Sequence, residues 1–221
     1  MKTLIVAPHP DDELLGVGGT LLRRVSEGCT VGWLLMTAIT EERGWSTQRI
    51  DRRAREIELV RQGLQIAPHN FYELNFPTAE LDKFPMSVLV GEISKVFESF
   101  EPEEVLLPHP GDIHSDHRVA FDSACACTKW FRYPSVKRVL TYETLSETDF
   151  SLDKNYFTPN LLIDITDYLE KKLQLLSIYK SELGEHPFPR SLKSVEAQAI
   201  LRGVQRGTKA AEAFQILRQF E

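Results

Sequence analysis

"TLIVAPHPDDELLGVGGTLLRRVSEG", Thr3 to Gly28, runs from a continuous apolar stretch through a histidine and three acids into leucines at helical spacing. The first five residues are β-rich and halted by Pro8, which reads as a strand buried on both faces. From Glu13 onward Leu14, Val17, Leu21 and Leu22 share a helical face, and Gly28 supplies the stop. The remainder keeps this rhythm. Strands are expected at 30–38, 70–76, 103–110 and 137–144, with a further apolar run at 160–166. Helical patterns cover 46–66, 86–100, 118–131, Asp167 to about Glu182, and 194–207. The last segment, "AAEAFQILRQF", suits either a helix or an edge strand. Continuous rather than alternating apolar strands, separated by helices, predict an α/β fold: a doubly wound, mostly parallel, Rossmann-like sheet with helices on both faces.

The chain has 221 residues, 42% of them hydrophobic, and no low-complexity tract, so residues 1–221 are expected to form one domain with a C-terminal extension from about 160. A net charge of -6 with mixed signs gives no electrostatic reason to bind nucleic acid or an anionic membrane. No stretch reaches the ~20 apolar residues of a membrane span. The three cysteines, Cys29, Cys125 and Cys127, form no disulfide framework and read as small buried hydrophobes in a reducing compartment. "MKTLIVAPHPDDE" lacks the cleavage site of a secretory signal. The expectation is a soluble, cytoplasmic protein.

Ligands of open α/β sheets bind outside the carboxyl ends of the strands. Two charged clusters stand there: "PHPDDE" after the first strand and "PHPGDIHSDH" after the fourth. His9 and Asp12 are three apart at a strand-to-helix turn, and His117 is placed to add a third ligand from the other loop. Two imidazoles, one carboxylate and an open position make the ligand set of a catalytic zinc, with iron(II) also suited. Asp11 beside them is positioned as a base toward a metal-activated water. The bland alternative makes the acids a helix cap and first-turn charges, the reading kept for Glu13.

His114 and His117 share a helical face. On spacing alone both can be ligands, or His114 can stand off the metal as an acid that meets an oxyanion, with Asp116 orienting its ring. His109 and Asp112 stay undivided between ligand and supporting group. One of Arg52, Arg53 and Arg55 can face the site, and His186, in "GEHPFPRS", can ride a loop that folds over the crevice. The "GVGG" run lacks the third glycine of a dinucleotide fingerprint and lies inside the helix after the acids; close helix–sheet packing explains it better. No bound nucleotide cofactor is expected.

"APHPDDE" resembles the A-H-P-D-D-E signature of the LmbE-like, or PIG-L, metal-dependent de-N-acetylases, and "HSDH" their H-x-D-H motif. "LGVGGTL", "DRRAREIE", "LIDIT" and "LRG…AEAF" extend the likeness along most of the chain. The resemblance implies His9, Asp12 and His117 as zinc ligands, Asp11 as general base, His114 as the acid histidine and Asp116 as its orienting partner. It implies Arg53 as the arginine that reaches substrate, an N-acetylglucosamine-type sugar that loses its acetyl group. Homo-oligomers are the common default for such enzymes. Two stretches depart from the family pattern: "TAITEERGW" replaces threonine-x-glycine-glutamate, and Ser181-Glu182 replaces serine-glutamine. The rival readings are a non-catalytic sugar- or metal-binding protein on the same fold, or a different metal-dependent hydrolase.

Overall fold

The computed structural model describes residues 1–152 and 155–220. Its strands are β1 (Lys2–Ala7), β2 (Thr30–Ala38), β3 (Phe71–Pro77), β4 (Glu104–Pro108), β5 (Arg138–Tyr142), β6 (Leu161–Asp164) and β7 (Ala211–Gln219). The longer helices are α1 (Asp12–Ser26), α2 (Thr47–Gly63), α3 (Met86–Phe100), α4 (Ser115–Ala126), α5 (Leu169–Leu176) and α6 (Leu192–Arg206). One seven-stranded sheet has the order β3-β2-β1-β4-β5-β7-β6. The first five strands are parallel, while β7 runs antiparallel to both β5 and β6. The chain therefore leaves β1 toward β2 on one side and returns through β4 on the other, which sets the switch point between β1 and β4.

The unbroken apolar strands follow from burial on both faces. Ile5 and Ala7 pack with α1, α2 and α5 on one side, whereas Leu4 and Val6 pack with α3 and α4 on the other. The "GVGG" glycines let α1 lie close on the sheet. A Cβ on Gly16 would come within 2.3 Å of the Tyr142 ring, and one on Gly19 within 2.7 Å of Ile165. Buried Lys172 sits against the same helix, donating from Nζ to the Leu15 carbonyl (3.0 Å) and to Glu212 (2.7 Å). Glu212 in turn accepts the amides of Gly19 (2.8 Å) and Thr20 (2.7 Å), so an ion pair docks on the middle of α1.

The architecture agrees with the doubly wound expectation, while several element ends differ from it and the last segment resolves to a strand. Helix α4 starts at Ser115 rather than 118, because His114 takes the N-cap position and its ring accepts the Asp116 amide. Helix α5 ends at Leu176, leaving Tyr179, Ser181 and Glu182 in the turns beyond it. The segment left between helix and edge strand is β7, an interior strand whose Glu212 charge is satisfied out of sight of the local pattern.

Candidate active site

Asp11 precedes α1 with φ 132°, a conformation that costs an ordinary residue roughly 1–3 kcal/mol. It stands at the N-cap, yet its carboxylate caps nothing; the helix start is met instead by its carbonyl, which accepts the Leu14 and Leu15 amides. Glu13 reaches back, accepting the Asp11 amide on one oxygen (3.0 Å) and the Tyr179 hydroxyl on the other (2.9 Å). The Asp11 carboxylate is thus buried and uncommitted, facing a cleft of about 470 Å³ beyond the ends of β1, β2 and β3. Burial, with the neighbouring Asp12 charge, pushes it up to about 8.

His9, Asp12 and His117 converge at the same place. Asp12 Oδ2 lies 3.4 Å from His9 Nδ1 and 3.3 Å from His117 Nε2. The far nitrogen of each ring is held by a carboxylate: His9 Nε2 donates to Asp116 (3.0 Å), and His117 Nδ1 donates to buried Asp112 (2.8 Å). This is how metal-binding histidines are oriented, with an outer carboxylate fixing the ring and leaving the inner nitrogen free to bind. The donor set fits a divalent ion of the zinc or iron type, since one atom from each residue lies within 4.8 Å of the others. His9, His114 and Asp116 also cluster within that distance. There, however, His114 Nδ1 already accepts the Asp116 amide and the Asp116 carboxylate is engaged by His9 and two backbone amides, so the first trio is the better fit.

Two trends in proton affinity follow. Burial works against a charged His9, but hydrogen bonds to Asp116 and Asp12 and the Asp12 charge lift it to about 9. His117 is raised in the same way between Asp12 and Asp112, whose attraction outweighs its burial. Asp12 is held well below the usual carboxylate range, despite its burial, by His117 and His9.

The structure changes two expectations about this cluster. Asp116 does not turn its carboxylate to His114: its backbone amide meets that ring, while its oxygens take His9 Nε2, the Ala79 amide (2.7 Å) and the Leu81 amide (3.0 Å). Nor is His114 disposed to carry a positive charge. Burial and the nearby His9 and His117 push it down to about 4, and an Nδ1 that accepts a hydrogen bond leaves the proton of the neutral ring on Nε2.

Arg53 reaches the cleft wall, where it donates to the Pro10 carbonyl (3.3 Å), to Ser181 Oγ (2.9 Å) and to Glu182. His186 does not. It is exposed and outside the cleft lining, because Phe188 folds back against Gly184 and brings Arg190 to the wall instead. His109 also turns away, bonding the Asn155 carbonyl (2.9 Å). Sequence reasoning missed Trp45, Arg49, Glu147 and Arg190, which all line the cleft, and left Asp112 unassigned. The signal for Asp112 lay in its five-residue spacing from His117 across a helix start.

A family model described as GlcNAc-PI de-N-acetylase, PIG-L, matches residues 4–128. A diacetylchitobiose deacetylase of Thermococcus kodakarensis is 26% identical over 230 residues, covering 98% of this chain and 83% of that protein. A probable N-acetyl-alpha-D-glucosaminyl L-malate deacetylase 2 of Bacillus anthracis is 24% identical over 187 residues, covering 82% and 81%. The solved N,N'-diacetylchitobiose deacetylase of Pyrococcus horikoshii superposes with a TM-score of 0.79 at 23% identity, covering 98% of this chain and 84% of that one, and so shares the fold.

Proposed function

The chain belongs to the PIG-L, or GlcNAc-PI de-N-acetylase, family, and we propose on that basis that it is a metal-dependent hydrolase that removes the acetyl group from an N-acetylglucosamine-type amino sugar or its conjugate. The observation that carries this reading is the meeting of His9, Asp12 and His117 beside a buried, uncommitted Asp11 at a cleft of sugar-sized volume. Relatives that span most of the chain and bear deacetylase names support the same chemistry.

His9, Asp12 and His117 are the proposed holders of the ion, zinc first and iron(II) as the alternative. Bound there, the ion supplies Lewis acidity, polarising the acyl carbonyl and making water a readier proton donor. The remaining work falls to side chains. Asp11 accepts the proton of the attacking water on its carboxylate, for which an upward-shifted proton affinity suits it. The same carboxyl then delivers that proton to the departing amine nitrogen, so no second charged acid is required. His114 donates from Nε2–H, as a neutral imidazole, to the carbonyl oxygen as it gains charge. Asp116 and Asp112 keep His9 and His117 in single orientations. Arg53 is the proposed sugar-facing arginine, braced by Ser181 and Glu182.

The test combines elemental analysis of protein purified without chelator with amine release from a panel of N-acetylated sugars. About one metal per chain and release from a panel member are expected. Asp11→Asn should keep the metal while turnover falls by about 10²- to 10⁴-fold. Turnover within tenfold of wild type would remove Asp11 from the base role. Absence of metal after reconstitution would overturn the metal-dependent reading.

A further inference from the structure

Arg49, Arg53 and Arg190 all line the cleft, but their charges are in different states. Arg53 is paired with Glu182 and with Glu56 (3.3 Å). Arg190 donates to the Glu182 carbonyl (3.2 Å) and lies in the fields of Asp11, Glu147 and Glu182. Arg49 has no such compensation: among the described residues no carboxylate lies within ion-pair distance of it, and its Nε is buried without a hydrogen-bond partner. Its guanidinium is instead laid over the Trp45 ring, 4.3 Å from the centroid.

This arrangement is prepared for a ligand. The aromatic face fixes the guanidinium plane and limits its rotation, leaving the donor edges to be satisfied from outside. Ile39, Ile50, Ala54 and Ile57 make this part of the cleft apolar, which strengthens any charge pairing inside it. Arg49 lies one turn before Arg53 on the same face of α2, roughly 6 Å farther along the axis, in the first turn, where the helix dipole also favours negative charge. Trp45 comes from the loop after β2, where this sequence departs from the family pattern.

We infer that Arg49, stacked on Trp45, receives an anionic substituent, a carboxylate or phosphate, carried by the amino-sugar substrate. Such groups match the planar fork of arginine with two parallel hydrogen bonds. The inference rests on the deacetylase reading above and narrows its substrate to acidic conjugates of the sugar.

The experiment compares wild type with Arg49→Gln and Arg49→Lys on four probes. These are the carboxymethyl glycoside of N-acetylglucosamine, its neutral 2-hydroxyethyl counterpart, N-acetylglucosamine 1-phosphate and N-acetylglucosamine 6-phosphate. Amine release gives KM and kcat, and calorimetry gives Kd whether or not a probe is hydrolysed. At least one anionic probe should show a KM and Kd at least tenfold below the neutral glycoside in wild type. Arg49→Gln should collapse that ratio toward one with kcat for the anionic probe changed less than threefold, and Arg49→Lys should restore part of it. The probe with the larger ratio separates carboxylate from phosphate. A preference seen in calorimetry without amine release would support the anion subsite while refuting the deacetylase reading. Equal handling of charged and neutral probes by wild type, or a ratio untouched by Arg49→Gln, would overturn the inference.

Discussion

Asp116 holds three partners with one carboxylate: the His9 ring and the amides of Ala79 and Leu81. It ties the β1 loop to the segment after β3 and gives His9 its orientation. Asp112 does the same for His117, and is itself fixed by the Thr148 hydroxyl (2.6 Å). Because an outer carboxylate raises the basicity of a ligating ring, Asp112→Asn should weaken metal affinity by about 10- to 100-fold while leaving the fold intact. Competition with a chromophoric chelator would measure it, and unchanged affinity would deny Asp112 this part. At this scale the sequence displayed the right residue types but not their pairings. Spacing could not reveal that the amide of Asp116, rather than its carboxylate, faces His114, since the N-cap geometry that decides it depends on where α4 begins. Arg190 was equally hidden, because the direction of its loop is set by Phe188 packing on Gly184.

Helix α1 shows what an element demands of its sequence. Gly16 faces the ring of Tyr142, which is pinned by its hydroxyl to the Val6 carbonyl (2.9 Å) and has little room to retreat. Gly16→Ala should therefore destabilise the protein by about 1–3 kcal/mol through overpacking, despite alanine's better helix propensity. A urea titration would show the midpoint falling; a higher midpoint would mean that the helix shifts freely. Lys172→Met should cost about 3–5 kcal/mol, since it strands the buried Glu212 charge. Equal stability of this variant in the same titration would show that Glu212 is neutral there. Most elements were legible because the strands are apolar on both faces and the helices carry their own stops. β7 was the exception: its buried glutamate finds Lys172 forty positions away and two amides of α1, none of it visible in a local window.

For the whole molecule, the doubly wound order explains why clusters a hundred positions apart share one cleft: β1 and β4 are neighbours, and each ends in a site loop. Among the described residues no helix is long and apolar enough to cross a membrane. The joined loops also set a pH response. Without metal, His9 near 9 and the raised His117 hold protons at neutral pH. An incoming ion must displace them, so metal affinity should climb between pH 6.5 and 9, by about tenfold per unit for each proton released. Calorimetry in buffers of different ionisation enthalpy would count the protons, and flat affinity across that range would refute the linkage. The metal-free protein should show the opposite slope. His9 and Asp11 have folded values above their unfolded ones, so the stability they lend is fully present only below the unfolded values, 6.5 for His9 and 3.8 for Asp11, and is gone once pH has risen through the folded values of about 9 and about 8. The placement of β7 has a consequence for the order in which the molecule is made. The loops bearing His9, Asp12 and His117 leave the ribosome before β7, which emerges almost a hundred residues after His117 and must slot between β5 and the waiting β6. Until it does, the nascent chain bears an uncovered sheet edge, and the turns that bring Glu182 and Arg190 to the cleft have no finished sheet to rest on. The loops proposed to hold the ion thus exist as sequence long before Glu182 and Arg190 are seated, and the finished cleft wall waits on β7.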